Sequence, residues 1–257
     1  MEVAEGPPPP VIEPVTARTL TRDAIFDLIA SLVVGIGGIM LMGALVGVSL
    51  LIAGNRPEQV TDLVTSPWGI AGLLLGTQLP LLFFALRRRR RNRQKQRPMT
   101  ELFGGAGLNA IPIGIFAGMG LTVLSALYTS GLQRLLGPDS VSNQVEFLQR
   151  MLDNKSAVTL LVLLIAVGAP ICEELFFRGV IFGAARAAGL TKVGVVLSAV
   201  LFATVHFSLL LSPFYATFAI VMCWLYARTG TLAAPMAAHA TMNGIACAAL
   251  LLAGDRV

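Results

Sequence analysis

The chain has 257 residues, of which 55% are apolar and only 13% charged, whereas a soluble domain carries about 25% charge. This composition excludes a water-soluble globule and indicates a polytopic membrane protein. The net charge of +5 does not describe a uniformly basic surface, because Arg87–Arg97 alone holds eight of the nineteen Lys and Arg residues.

Residues 1–22, which include "MEVAEGPPPPVIEPV", are acidic and Pro-rich and read as a flexible cytoplasmic tail. Residues 23–257 read as a single transmembrane helical domain. Long charge-free runs then recur, between Asp27 and Arg56, Asp62 and Arg87, and Glu101 and Arg134. The expected fold is an all-α bundle of about seven spanning helices, within a range of six to eight. The first segment lies near Ile25–Ala53, the second near Trp68–Leu86 and the third near Leu108–Leu132. A polar connector, Arg134–Ser156, precedes a fourth segment over Ala157–Ala188. At 1.5 Å per residue the fourth would be about 48 Å long, so tilt, a kink at Pro170 or a break near Gly179 is expected. The fifth covers Val193–Leu211 and the sixth Phe214–Ala227. A tight turn at Arg228–Gly230 leads into the seventh, Thr231–Leu252.

The basic run (Arg87, Arg88, Arg89, Arg90, Arg91, Arg93, Lys95 and Arg97) sits between two spanning segments. The positive-inside rule explains it without nucleic acid, and anionic lipid headgroups are its natural neighbours. That loop is therefore placed in the cytoplasm, and the N-terminus with it. Cys172, Cys223 and Cys247 all lie in apolar segments, which is no disulfide framework. No internal repeat is visible, against a secondary-transporter design.

The last four segments break the apolar pattern in a concentrated way. Glu173, Glu174 and Arg178 lie in "GAPICEELFFRGVIFG", and the only two histidines, His206 and His239, also lie in apolar stretches, with Asn243 following. A charge at the centre of a spanning helix costs roughly 2.5–3.5 kcal/mol on insertion scales, so such residues persist where they are paired and useful. Glu174 and Arg178 are four apart in the favourable order for a helical ion pair. Glu173 points about 100° away and has no base at that spacing, which leaves it free for general-base work. His206, His239 and Asn243 are the candidate partners. His239 and Asn243 share one helix face and could donate to a developing oxyanion, while Glu173 with His206 could polarise a water. Cys172 beside Glu173 is a poor nucleophile in that setting. Glu173, His206 and His239 would also make a zinc ligand set, although no HExxH is present. No cofactor is expected, and a divalent metal such as zinc is the rival.

The motifs EExxxR (Glu173–Arg178), FxxxH (Phe202–His206) and HxxxN (His239–Asn243), in this order on successive segments, resemble the CAAX protease and bacteriocin-processing (CPBP or Abi) family of intramembrane endopeptidases. The resemblance covers about Val158–Ile245 and places a catalytic core over about residues 157–252. It implies a glutamate-type mechanism. Glu173 and His206 would activate water, His239 and Asn243 would form the oxyanion site, and Glu174, Arg178 and Phe202 would support them. It also implies a membrane-associated peptide or protein as substrate, with the site open toward the cytoplasmic leaflet. A bacterial inner membrane is the expected location. The rivals are a non-proteolytic scaffold and a proton- or ion-coupled transporter built on the same polar cluster.

Overall fold

The computed structural model describes residues 66–94, 107–141 and 157–254, together with the helical residues Arg22, Phe26, Ile29 and Ala30. The predicted tail and first spanning segment lie almost wholly outside the described residues, as does the connector over 142–156. The described residues fold into helices with no β-strand: α1 (Pro67–Gln94), α2 (Ile111–Leu136), α3 (Val158–Ala187), α4 (Thr191–Val205), α5 (Ser212–Thr229) and α6 (Ala233–Gly254). Four of them, α1, α2, α3 and α6, are long and apolar enough to cross a membrane. The chain is an integral membrane protein.

The two helices around His206 are shorter, at 15 residues for α4 and 18 for α5. By its rise, α4 spans only about 22 Å, less than the roughly 30 Å hydrocarbon layer. His206 therefore sits at the end of α4 rather than within a spanning helix. The basic run also differs from the expected loop. Helix α1 continues through Arg87–Arg91 and Arg93 to Gln94, and Lys95 and Arg97 lie outside the described residues. Arginine is a good helix former, and cations are favourable in a last turn.

Helix α3 lies at the centre and packs against α1, α4, α5 and α6. From Glu174 to Phe182, eight of nine side chains are buried, with Gly179 the exception. A helix enclosed on all sides has no solvent- or lipid-facing stripe, and the sequence accordingly carries none here. The core around it is aromatic, built on Phe176, Phe177, Phe182, Phe202 and Phe218. The expected break near Gly179 does not occur, since the helix is continuous there. Helix α3 runs through two π-helical stretches instead, Leu164–Gly168 and Glu174–Phe182. The wider register absorbs Pro170, which has no N–H to give.

Helices α2 and α6 approach closely because Gly114 and Gly118 face Ala234 and Ala238. A Cβ on either glycine would run into the carbonyl oxygen of the facing alanine. This is a small-xxx-small contact of the kind that drives helix association in lipid. Its register matters for function, since Ala238 immediately precedes His239. Gly118→Leu is expected to force the helices apart and to destabilise the fold by about 1–3 kcal/mol. A lower melting temperature and a smaller monodisperse fraction in detergent would show it, and wild-type behaviour would contradict this packing.

Candidate active site

The site forms where α3, α6 and the α4–α5 hairpin meet. Glu174 and Arg178 are both fully buried and form an ion pair at 3.0 Å, with Arg178 Nη1 donating to Glu174 Oε1. The same carboxylate oxygen accepts a second hydrogen bond, from His239 Nδ1 at 2.9 Å. Glu174 thus does more than neutralise its helical neighbour. It fixes the ring of His239, 65 residues away in sequence. With Glu174 ionised beside Arg178, the proton on that bond belongs to Nδ1, so Nε2 of His239 is the nitrogen left for chemistry.

His206 is held in a similar way. Its Nδ1 lies 2.7 Å from the backbone oxygen of Phe202, four residues back. A carbonyl can only accept, so Nδ1 donates and Nε2 again remains available. The chain turns immediately afterwards, with Phe207 at φ 49°, a left-handed conformation costing about 1–2 kcal/mol for a residue with a Cβ. The motif spacing Phe202–His206 has two further consequences. The Phe202 ring stacks with Phe218 at 5.2 Å and lies 4.7 Å from the Arg178 guanidinium carbon. Phe218 at 5.7 Å and Phe177 at 6.0 Å complete an aromatic enclosure of that cation. Cation–π attraction of this kind is strongest in desolvated sites, and it offsets part of the burial of a full charge.

Glu173 takes the opposite position. It is half-buried, its Oε2 is buried without a hydrogen-bond partner among the described residues, and it interacts electrostatically with His206. The adjacent glutamates are thus divided as their spacing implied, one consumed by structure and one left available.

Asn243 donates from Nδ2 to the backbone oxygen of Ile165 at 2.9 Å. The reason lies in the first π stretch. The N–H of Ala169, the α-helical donor for Ile165, bonds instead to Leu164. The donor one residue further would be Pro170, which has no N–H. Asn243 therefore satisfies a carbonyl that α3 itself leaves orphaned, and only its second amide hydrogen is free for a ligand. Gln78 of α1 is buried at the same stretch and donates to Leu164 at 3.3 Å.

Sequence reasoning did not find the Glu174–His239 bond, the Asn243–Ile165 bond or Tyr215, whose ring stacks on His206 at 4.2 Å. Among the described residues no group of three or more His, Cys, Asp or Glu side chains is arranged to hold a metal ion. Nδ1 of His239 is taken by Glu174 and Nδ1 of His206 by the Phe202 carbonyl, so a metal at these residues would have only the two Nε2 atoms and the Glu173 carboxylate to bind.

Residues 155–245 match the family model described as type II CAAX prenyl endopeptidase Rce1-like. That match spans all three motifs and every residue of the site. Over that segment the chain is similar to the CAAX protease family. A Bacillus subtilis protein provisionally named as the membrane peptidase YdiL is 33% identical over 103 residues, 40% of this chain and 42% of that protein. The match thus covers less than half the length of that relative. No solved structure matches the chain.

Proposed function

We propose that the protein is an intramembrane endopeptidase that hydrolyses a peptide bond in a membrane-associated protein or peptide. The observation that carries this reading is an uncommitted carboxylate, Glu173, near enough to His206 to act on it electrostatically, beside a second histidine whose orientation is fixed by a buried acid. Glu173 and His206 share the activation of a water, Glu173 taking its proton as the hydroxide attacks the carbonyl carbon. His239 and Asn243 face the carbonyl oxygen. Asn243 donates its second amide hydrogen, and His239 donates from Nε2 when its ring is protonated. Glu174 stabilises that imidazolium, so its role extends beyond pairing with Arg178. The proton held by Glu173 then passes to the leaving nitrogen as the C–N bond breaks.

Glu173 lies near the middle of α3, so the scissile bond must reach well into the bundle. The family and the provisional name of the Bacillus relative both favour peptidase chemistry. The basic face that Arg87, Arg90 and Arg93 would present to anionic lipid, a cytoplasmic N-terminus and a bacterial inner membrane remain part of the same proposal.

The reading is tested with purified protein in nanodiscs and a library of quenched peptides, half carrying a transmembrane anchor and half soluble. Cleavage confined to the anchored peptides and unaffected by a strong chelator is expected. Loss of cleavage with chelator would contradict the metal-free mechanism. Proton or ion flux without cleavage, measured in liposomes, would favour a transporter instead.

A further inference from the structure

We propose that Tyr215 is a positioning residue that holds the His206 imidazole with Nε2 directed toward Glu173. This rests on the reading of Glu173 and His206 as the water-activating pair. The Tyr215 ring stacks on His206 at 4.2 Å with 29° between planes. The Phe202 ring lies 4.5 Å from the same imidazole at 37°. The imidazole is thus contacted by two aromatic rings, and its Nδ1 is tied to the Phe202 carbonyl. Rotation about the Cβ–Cγ bond would have to break that hydrogen bond and displace a ring. Glu173 lies near enough to act electrostatically on Tyr215 as well as on His206.

The connection between α4 and α5 is built to return this ring. Ser208 Oγ accepts from the Leu211 N–H at 3.4 Å, and Ser212 Oγ donates to Leu209 O at 2.8 Å. Tyr128 of α2 donates to Leu210 O at 2.8 Å. Pro213 stands in the first turn of α5, where a missing N–H is harmless. These contacts set the first turn of α5, and Tyr215 leaves that turn directly over His206. The ring, rather than the hydroxyl, makes the stack. A tyrosine is amphipathic enough to sit half-buried at the edge of such a site.

Three variants and two readouts test the assignment. With an anchored quenched peptide, Tyr215→Leu is expected to lower kcat about 10- to 100-fold, the loss typical of a misplaced catalytic group, with KM little changed. Tyr215→Phe, which keeps the ring, is expected to restore turnover. Labelling with diethyl pyrocarbonate, followed by mass spectrometry, reads the histidines without any need for activity. In Tyr215→Leu the labelling rate at His206 should rise severalfold while that at His239 stays at the wild-type value. Phe202→Leu, which removes the other ring, should raise His206 labelling too. If Tyr215→Leu keeps wild-type kcat and His206 labelling, the assignment is wrong. If Tyr215→Phe is as impaired as Tyr215→Leu, the hydroxyl acts and the ring does not, which also overturns it. A wild-type protein that cleaves nothing would count against the peptidase reading, and the labelling comparison would still decide the role of Tyr215.

Discussion

Glu173→Gln is expected to lower kcat about 10³-fold, within the range that a positioned general base supplies, while KM and the melting temperature stay near wild type. The stability half of this expectation comes from the site itself. The Glu173 Oε2 atom is buried and has no hydrogen-bond partner among the described residues, so exchanging the carboxylate for an amide breaks no hydrogen bond to them. The kinetic half follows from what the side chain can do. It is the carboxylate in the cluster that is not held by Arg178 or by either histidine, and an amide of the same shape cannot accept a proton at neutral pH. Steady-state kinetics on an anchored peptide, with a thermal melt of the same preparation, separate the two halves. Full turnover by Glu173→Gln would move the base elsewhere.

Arg178→Ala acts through stability. Glu174 and Arg178 are both fully buried, and their pair is also where His239 is held. Removing the cation leaves the fully buried Glu174 carboxylate without its counter-charge and empties the enclosure formed by Phe177, Phe202 and Phe218. Breaking one side of a buried ion pair is typically destabilising by about 3–5 kcal/mol. Most of the protein should therefore be lost as aggregate during purification, and a detergent-titrated unfolding midpoint should fall. Glu174→Ala strands the opposite charge and should behave alike, but with a second effect. Its surviving folded fraction should have low kcat, because His239 has lost the acceptor that sets its tautomer. Wild-type yield and midpoint for Arg178→Ala would show that the pair is dispensable.

The two effects differ because neighbouring glutamates on one helix meet different surroundings, and that difference was partly readable from spacing. Glu174 and Arg178 stand one helical turn apart, so their pairing needed no structure. The bond from His239 to Glu174 joins α6 to α3 across 65 residues, a separation that leaves no periodic trace in the chain. Asn243 lay between these cases. Pro170 announces a missing N–H, but which carbonyl it orphans depends on the π register, and packing around α3 sets that register. Within the described residues, the places of the hydrophobic segments emerged well from composition. Their ends did not, because Arg87–Arg93 reads as loop by charge and yet extends α1 by propensity. The Gly114-xxx-Gly118 contact is plainly present as "GIFAG", but a search guided by charge passes over it. Tyr215 carries no local mark at all. An aromatic residue in an apolar helix is ordinarily core or lipid-facing, and only the turn after His206 brings it back over the imidazole.

Mass analysis of an anchored peptide incubated with wild type and with Glu173→Gln, each in nanodiscs, tests the central claim most directly. The account predicts two new products from wild type whose masses sum to that of the substrate plus one water, and only intact substrate from Glu173→Gln. Equal amounts of the same two products from both proteins would contradict it.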